Sequence, residues 1–415
     1  MGHNNTVAMK QLYDWTEVGD DLIKQITESA REAVPPKRFK GDALSQLVGV
    51  SIARIYEAEE LEKLPAADRG ARNQRLGYTI SQAIEAMKVF DTLPWRREGD
   101  DPVILSFTNF KGGCWKTTTS WYFSSWCAMQ GYRVLVVDLD PQASFTRNIG
   151  VLPDRDTEYY DTLAPFLSGE IAATPEAIRD VVRKTHLPTL DIIPSSLDLQ
   201  AVEWELSSEV MKAASHADKQ KQAECFLRAK LALQEVMEDY DIIVVDGTPT
   251  LGLIPLNIVF GSDGVVVPVP TEIADYCSTI SFLNLLHQHA DQLIESFGDV
   301  IQIPEFVFLP TRFSPGERNQ TVGAEVVLEQ LIKPNFGDSC LNSVIRKHDA
   351  VVSNLSLLSR TAFEVLGKDV DLKPEVIRRA CANYGQAFEE IMERLVYKHW
   401  PTKQLELEIQ EVRNG

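Results

Sequence analysis

The residues best suited to chemistry form a glycine-rich run between an apolar stretch and a helical stretch. A strand that ends in such a turn and opens a helix directs backbone N–H groups into one concavity, where the helix N-terminus adds partial positive charge. The run therefore predicts a polyphosphate-binding loop, with Lys116 neutralising the β- and γ-phosphates and the Thr117 hydroxyl ligating Mg²⁺. The alternative is a turn that serves packing alone. The run reads Lys111-Gly112-Gly113-Cys114-Trp115-Lys116-Thr117-Thr118.

Two further apolar runs, from Tyr132 and from Tyr240, end in carboxylates. Runs of this kind are typical of central strands in a parallel sheet, whose carboxyl ends line the ligand crevice of an open α/β fold. Asp246 is expected to hold a water on Mg²⁺, Asp140 to orient or activate the attacking water, and Asp138 to be a second candidate for the metal shell. Helix caps or solvated strand ends are the alternatives for these aspartates.

With those motifs assembled, the sequence resembles the ParA/MinD family of deviant P-loop ATPases. Lys111-Gly-Gly-x-x-Lys-Thr-Thr resembles the family's first nucleotide motif, Asp138-Leu-Asp-Pro-Gln-Ala-Ser its second, and Asp246-Gly-Thr-Pro-Thr-Leu-Gly its third. Within the family the RepA partition proteins of repABC plasmids resemble the chain most. The supporting segments, between about residue 40 and Trp400, are Arg96-Arg-Glu-Gly, Thr108-Asn-Phe-Lys-Gly-Gly, Leu190-Asp-Ile-Ile-Pro and Thr311-Arg-Phe-Ser-Pro-Gly-Glu.

The resemblance implies an α/β fold with a doubly wound, mostly parallel sheet and a helical N-terminal helix-turn-helix module. It also implies ATP or ADP with Mg²⁺ as ligands, and a nucleotide-sandwich homodimer that binds DNA nonspecifically and acts with a centromere-binding partner. In that family the deviant lysine, here Lys111, reaches across the dimer to the partner subunit's nucleotide. Catalytic roles then fall to Lys111, Lys116 and Asp140. Thr311 and Arg312 are expected near the base or the dimer interface, although an ordinary loop after a strand is the alternative.

Trp115 departs from the family pattern because it replaces the last glycine of the loop. A positive φ at this position would cost a tryptophan about 1–3 kcal/mol in backbone strain and lower nucleotide affinity. With a negative φ, the indole would instead project outward to cover the nucleotide or pack in a dimer interface. A slow ATPase and a nucleotide-binding protein with little hydrolysis both stay open. Gly247 and Thr248 also differ from the family's usual residues and leave the mobility of that switch loop open.

Composition limits the class of protein. The 415 residues suffice for a main domain and a smaller one. Neither a signal peptide nor an apolar run long enough to span a membrane is recognisable, so we expect a cytoplasmic, nucleoid-associated protein that does not bind membranes. Six dispersed cysteines indicate reduced thiols without a zinc site. The net charge of −19 excludes a surface coated in DNA-binding charge but permits a local basic patch.

Residues 1–95 are predicted to form the helical module. A helix from Asp20 should end at Pro35-Pro36, and residues 39–56 have a helix, turn and helix pattern, followed by a basic segment that could form a wing. Arg54, Arg72 and Arg75 are its candidate DNA contacts. The glutamates at 57, 59, 60 and 62 would repel phosphates, so a dimerisation module is the alternative.

The ATPase domain is predicted over 96–403 and a tail over 404–415. We expect an irregular acidic insertion within 152–185, a long helical stretch over 199–237, strands over 263–270 and 304–310, and an amphipathic helix packed on the sheet over 374–400. That last helix carries Arg378, Arg379, Arg394 and Lys398, which are either DNA contacts or a solvated face.

The sequence favours ATP-dependent plasmid partition, with repression of its own operon as an additional role. The competing hypothesis is a DNA-binding regulator or scaffold whose nucleotide site is vestigial because of Trp115. Positioning of a cargo other than a plasmid cannot be distinguished by sequence, since cargo choice depends on partner contacts.

Overall fold

The computed structural model describes residues 2–153, 155–213, 218–250, 252–316 and 323–406. The helices are α1 (Gly2–Ala33), α2 (Gly41–Val48), α3 (Ile52–Glu60), α4 (Ile80–Phe90), α5 (Lys116–Gln130), α6 (Ser144–Asn148), α7 (Ala164–Ser168), α8 (Pro175–Val181), α9 (Leu199–Ala213), α10 (Lys219–Glu224), α11 (Arg228–Gln234), α12 (Leu253–Phe260), α13 (Ile273–Phe297), α14 (Ala324–Val327), α15 (Lys333–Phe336), α16 (Asp349–Ser356) and α17 (Pro374–Ile391). The strands are β1 (Asp68–Arg69), β2 (Arg75–Gly77), β3 (Val103–Phe107), β4 (Val134–Leu139), β5 (Arg183–Lys184), β6 (Leu190–Ile193), β7 (Ile242–Gly247), β8 (Gly264–Pro270) and β9 (Glu305–Thr311).

Within the described residues, seven strands form one large sheet in the order β5-β6-β4-β7-β3-β8-β9. Every neighbouring pair is parallel except β5 with β6. The apolar runs predicted from the sequence are its central strands, and β3, β4, β7 and β8 are buried along their whole length. The predicted α/β fold with a mostly parallel sheet is confirmed, and the carboxyl ends of its strands meet at one edge.

Helices cover both faces of the large sheet. Alternate residues of a strand point to opposite faces: Val103 and Leu105 lie in a core with α5 and α17, whereas Ile104 lies in a second core with α9 and α11. The amphipathic helix predicted near the C-terminus is α17, which buries Tyr384 and Phe388. The long helical stretch predicted over 199–237 consists of α9, α10 and α11, with residues 214–217 outside the described part.

The irregular insertion predicted within 152–185 contains the short elements α7, α8 and β5. A last helical turn covers residues 401–406, so the first residues of the predicted tail continue from the ATPase domain; the remainder, 407–415, lies outside the described residues.

The N-terminal module begins with a longer helix than the sequence predicted. α1 covers Gly2–Ala33 rather than starting at Asp20, because apolar residues keep helical spacing further upstream. Leu12, Trp15 and Ile26 on this helix are exposed, so the alternative of a dimerisation module stays open.

Two short helices and a hairpin occupy the region of the predicted helix-turn-helix and wing. α2 and α3 are joined through Gly49, whose φ of 77° needs the freedom of glycine, and β1 pairs antiparallel with β2. Arg72 is exposed, and the Arg54 guanidinium lies 5.3 Å from the Phe90 ring centroid. Arg75 forms an ion pair with Glu59 inside the module, so its charge is already compensated. DNA recognition by this unit stays a prediction.

The module and the ATPase domain share one apolar core. Phe39, Leu44 and Ile55 belong to the same buried cluster as Phe123 of α5, and the Lys37 ammonium donates to the Phe363 carbonyl at 2.7 Å. The proposed boundary at residue 95 therefore does not coincide with a break in packing. As a division into independent domains it stays a prediction.

Asp241 joins the inter-domain segment to the start of two central strands. Its fully buried carboxylate accepts from the backbone N–H of Arg96 at 3.1 Å and of Arg133 at 2.7 Å, and from Nη2 of Arg133 at 2.6 Å. Four oxygen lone-pair sites in one buried side chain thus hold three chain segments together.

We expect Asp241→Ala to lower the free energy of unfolding by about 3 kcal/mol, because it leaves buried donors without an acceptor. Asp239→Ala is the matched control: Asp239 pairs at 2.8 Å with Arg179, but both side chains are exposed, so its loss should cost less than about 1 kcal/mol. Urea unfolding followed by circular dichroism measures both. Equal losses in the two variants would contradict the structural role of Asp241.

Candidate functional site

The glycine-rich run forms the turn between β3 and α5, at the carboxyl edge of the large sheet. Gly113 has a φ of 77°, and a Cβ added at Gly112 or Gly113 would meet no heavy atom within 4 Å. The loop is therefore open on the side that a ligand would occupy. Lys116 is 5% exposed, and its ammonium donates to the Lys111 carbonyl at 3.0 Å. The lysine thus folds back into its own loop.

Trp115 has a φ of 70° and a ψ of 26°, in the left-handed region. The expectation that φ could be negative, with the indole projecting outward, is wrong. The residue occupies the N-cap position of α5, and its half-buried ring packs against the core that includes α5 and α17. Trp115 thus adopts a left-handed conformation in spite of its side chain. The two residues that follow directly have contacts of their own, Lys116 with the Lys111 carbonyl and Thr117 with Asp246.

Asp246 connects the end of β7 to the first turn of α5. It is fully buried; Oδ2 accepts from the Thr117 hydroxyl at 2.7 Å and Oδ1 from the Ser120 hydroxyl at 2.8 Å. Burial, reinforced by nearby Asp138, raises the pKa of Asp246 well above its usual value. A hydroxyl beside a carboxylate at a helix N-terminus is the ligand pair that holds Mg²⁺ in P-loop NTPases.

Asp138 and Asp140 lie at the end of β4. The Asp138 oxygens accept from the backbone N–H of Asp140 at 3.1 Å and from the Thr146 N–H and hydroxyl at 2.9 and 2.7 Å. These bonds favour the structural alternative for Asp138, a cap on the turn into α6, over a place in the metal shell. Burial raises the pKa of the Asp138 carboxyl.

The Asp140 carboxylate is more accessible to a reacting group. It is 7% exposed, and its Oδ1 accepts from the Gln142 N–H at 3.0 Å. Burial raises its pKa, while the Gln142 amide and the nearby Lys116 charge oppose that shift. Its position at the end of β4, where the Lys116 charge acts on it, is compatible with the predicted role of orienting water.

Lys111 and Arg312 meet at one carboxylate that the sequence did not identify. The Lys111 ammonium lies 3.4 Å from Oδ1 of Asp275, and Nη1 of Arg312 lies 4.0 Å from Oδ2 of the same residue. Arg312 also approaches Glu272 at 3.7 Å and has a φ of 53°. Thr311 is buried, with its hydroxyl 3.5 Å from the Cys114 carbonyl.

The remaining predicted loop residues support this arrangement rather than adding new chemistry. Thr118 is half-buried in the first turn of α5. The Cys114 thiol is fully buried, which raises its pKa, although the nearby Lys116 charge opposes the shift. Gly247 has little room for a side chain, because an added Cβ would lie 3.3 Å from the Phe107 carbonyl oxygen.

The segment that follows Asp246 is held by a carboxylate on α9. Both oxygens of Glu203 accept from the backbone at the start of α12, one from the N–H of Leu253 and the other from the N–H of Ile254 at 3.1 Å. The Thr248 and Thr250 hydroxyls are 3.0 Å apart in the preceding turn. The chain from Asp246 to the start of α12, called the switch segment below, therefore contacts α9 through Glu203 and α5 through Asp246.

Sequence reasoning missed Ser120, Asp275, Glu272 and Glu203. Ser120 had a local signal, because it follows Thr117 by three residues on one helix and so shares its face. The other three lie far from the motifs in sequence. They are placed near the site because α9 and α13 follow other strands of the same sheet. No local pattern marks them.

The residues present fit a Mg²⁺-nucleotide. The loop is open where phosphates would lie, Lys116 supplies a cation within it, and the Thr117 hydroxyl and Asp246 carboxylate form a hard oxygen pair beside it. Three buried carboxylates lie at this edge of the sheet: Asp138, Asp140 and Asp246. Keeping all three ionised costs free energy, and a bound divalent cation would offset that cost.

Trp115→Gly and Trp115→Ala separate backbone strain from the loss of the indole. Both variants lose the ring, but only glycine is free of the Cβ clash at a φ of 70°. We expect the glycine variant to be more stable to urea than the alanine variant by about 1 kcal/mol, the reverse of their usual order at a helical position. An alanine variant as stable as the glycine variant would show that the loop carries no strain at this residue.

Comparison with known proteins agrees with this geometry. The family described as AAA domain matches residues 103–297. SopA of Escherichia coli strain K12 is 31% identical over 386 residues, covering 91% of this chain and 94% of SopA. A replication protein A homologue of Rhizobium rhizogenes is 34% identical over 370 residues, covering 83% and 85% of the two chains. A solved structure titled Partition Protein superposes with a TM-score of 0.62 at 19% identity, covering 92% of this chain and 98% of its own, which supports the fold. The loop, the strand-end carboxylates and this full-length similarity together establish that the chain belongs to the ParA/MinD family of partition ATPases and is related to its RepA members.

Proposed function

We propose that this protein is an ATP-dependent DNA segregation protein of the plasmid-partition type. The observation that supports it best is the contact of Thr117 with buried Asp246, beside an open loop that holds Lys116. In this proposal the chain binds Mg²⁺-ATP, forms a sandwich homodimer, binds DNA without sequence preference and acts with a centromere-binding partner on the nucleoid. No helix among the described residues is long and apolar enough to cross a membrane.

Each site residue has a role that follows from its position. Lys116 would exchange its bond to the Lys111 carbonyl for phosphate oxygens, and Thr117 with Asp246 would hold Mg²⁺, which screens the charge of the phosphates. Asp140 would accept a hydrogen bond from the attacking water and align it in line with the scissile bond. Arg312 and Thr311 would lie at the rim of the site.

Dimerisation would require Lys111 to change partners. In the single chain its ammonium is paired with Asp275 of the same chain, and its side chain is 41% exposed. To reach the nucleotide of a second subunit, the lysine must exchange this ion pair for phosphate oxygens. The γ-phosphate favours the dimer when its contact with Lys111 is stronger than the ion pair of Lys111 with Asp275. The difference in free energy between these two contacts then shifts the equilibrium towards the dimer.

A second candidate function is a DNA-binding regulator or scaffold with a site that binds nucleotide but does not turn it over. The positive φ of Trp115 favours it, because strain and a bulky ring beside the loop oppose the rearrangement that a phosphate needs. Calorimetry with ATP and Mg²⁺ distinguishes the two, together with phosphate release. Binding without release supports the scaffold, and Trp115→Gly should then restore release if the tryptophan is the cause.

The ATPase is tested with two variants and with removal of Mg²⁺. We expect Asp140→Ala to bind ATP but to release phosphate at least about 100-fold more slowly, because water is no longer oriented. Lys111→Ala should keep nucleotide binding in the monomer and lose the ATP-dependent dimer, measured by light scattering after size exclusion. Removing Mg²⁺ with EDTA should abolish both dimer and turnover.

Lys333→Ala serves as the matched control, since Lys333 is a partly exposed lysine that pairs with Glu329 at 2.8 Å and not with a residue of the loop. It should behave as the native chain does. An Asp140→Ala variant with native turnover would contradict the assigned role. A native chain that neither binds Mg²⁺-ATP nor dimerises with it would overturn the proposed function.

DNA binding is supported by a basic groove in an otherwise acidic protein. A cavity of about 500 Å³ lies between the segment after β9 and α17, lined among others by Arg346, Lys347, His348 and Arg379. The Arg346 side chain is exposed, and the Asn383 carboxamide accepts from its backbone N–H at 2.8 Å. Positive side chains that track a backbone of phosphates give binding without sequence preference.

Other basic residues of α17 and the turns after it are less available. Arg394 donates to the carbonyls of Cys340 and Asp338, and Arg378 is paired with Glu375. Lys398 is paired with Glu305. Of the four candidates predicted for this helix, Arg379 is the one that lines the groove. Its Nε also lies 3.7 Å from Oε1 of Glu375, in a pair between exposed side chains that is weak and easily exchanged for a phosphate.

Removal of Arg346 and Arg379 should weaken binding to a nonspecific DNA duplex and lower the salt dependence. Two lost phosphate contacts reduce the slope of log K against log salt by about 1.8. Fluorescence anisotropy at several salt concentrations, with ATP and Mg²⁺, measures this for Arg346→Ala/Arg379→Ala. Arg378→Ala is the control on the same helix. An unchanged slope in the double variant would place the DNA contacts elsewhere.

A further inference from the structure

An apolar stripe lies on the outer face of α9. Trp204 is 80% exposed and Met211 is 77% exposed, seven residues apart and therefore two turns along one face. Leu197, seven residues before Trp204 in the turn that precedes the helix, is 48% exposed. The residues that α9 buries, Leu199, Val202 and Leu206 among them, lie on the opposite side. The helix is therefore anchored by one face and offers a second apolar face to a partner.

The surroundings of this stripe are acidic. A groove of about 360 Å³ beside it is lined by Glu170, Glu205 and Glu209 together with Lys212. Glu209 pairs with Lys212 at 2.7 Å and with Arg228 at 3.1 Å. Glu170 accepts from the Tyr160 hydroxyl at 2.7 Å, a neutral donor that leaves its charge in place. Glu205 is exposed.

The carboxylates around the apolar stripe indicate which class of partner can bind there. Nucleic acid and anionic lipid are repelled by these carboxylates, and in a symmetric pair of this chain the same carboxylates would face one another. An exposed tryptophan and methionine rimmed by carboxylates match a segment with apolar anchors and lysine or arginine beside them. We propose that the outer face of α9 is the docking site for a basic amphipathic segment of a partner protein.

Charge is segregated on the surface of this acidic chain. The groove beside α17 contains Arg346, Lys347 and Arg379, whereas the groove beside α9 contains Glu170 and Glu205. The two grooves lie on different elements, and screening over about 8–10 Å allows each to act locally in spite of the net charge of −19. A nucleic acid and a basic protein segment are then attracted to separate faces.

The same helix contacts the switch segment of the nucleotide site. Glu203 lies one residue before Trp204, and its carboxylate accepts from the backbone N–H of Leu253 and Ile254 at the start of α12. A Cβ added at Gly252 would lie 2.0 Å from Oε1 of Glu203, so the chain passes directly against this side chain. Asp246 lies six residues before Gly252 on the same segment. A partner that shifts α9 therefore acts on the chain that carries Asp246, and this part of the inference rests on the proposed function.

Binding is tested first without nucleotide, so that it does not depend on ATPase activity. The probe is a fluorescein-labelled helical peptide, about 20 residues long so that it spans more than the stripe, with lysines on one face and leucines on the other. Its anisotropy is titrated with the full chain. We expect Trp204→Ser/Met211→Ser to weaken binding at least about 10-fold. Glu170→Gln/Glu205→Gln should weaken it and reduce its salt dependence, and a peptide with glutamates in place of lysines should not bind.

The control for exposed apolar side chains elsewhere is Leu61→Ser/Leu357→Ser, whose residues are 58% and 60% exposed. This variant should bind the peptide within about twofold of the native chain. Equal loss in both double variants, or equal binding by the acidic peptide, would overturn the docking site. Self-association of the native chain that Trp204→Ser/Met211→Ser abolishes would replace the partner by a second copy and overturn the proposed occupant.

Phosphate release tests the connection to the switch. The peptide should change the turnover of the native chain at least about threefold, and Glu203→Gln should bind the peptide normally but lose most of that change. If the peptide binds but turnover does not respond in the native chain, the docking site stands and the coupling fails. If the native chain has no turnover at all, the proposed function fails while the nucleotide-free binding result is unaffected.

Discussion

Two hydrogen bonds to Asp246, from Thr117 and Ser120, join the end of β7 to the first turn of α5. They link the strand that carries the switch segment with the helix that begins at the phosphate loop. A buried carboxylate needs such donors because its charge is otherwise costly in a medium of low polarisability. The pairing thus ties the first turn of α5, directly after the glycine-rich loop, to the end of β7.

The cations of the site are held by the chain's own oxygens. Lys116 donates to the Lys111 carbonyl, and Lys111 and Arg312 share Asp275. A ligand that replaces these oxygens must first break their contacts with the cations. Its binding free energy is therefore only the difference between the new contacts and the contacts that are lost. Under the proposed function, strong binding would therefore require the phosphates and Mg²⁺ to satisfy several of these groups at once.

The sequence by itself predicted the sheet and the loop, and it named the residues that are candidates for ligand binding. Continuous apolar runs predict buried parallel strands, and strand ends gather at one edge, so residue order alone places Lys116, Thr117 and Asp246 together. Local patterns also predicted α17, but they placed the start of α1 too late and merged α9, α10 and α11 into one stretch. Both errors concern boundaries: the apolar spacing of α1 continues further upstream than was recognised, and the division into α9, α10 and α11 is not marked by a change of spacing.

Only the tertiary structure decided the conformation of Trp115, the hydrogen-bond partners of Asp138 and the contacts made by Asp275 and Glu203. The sign of φ at Trp115 depends on how α5 is anchored, and a carboxylate becomes a cap or a metal ligand according to which donors surround it. Asp275 and Glu203 reach the loop and its switch from distant parts of the sequence. Sequence spacing encodes periodicity along a chain, whereas these contacts depend on distances between chain segments that only the folded sheet defines.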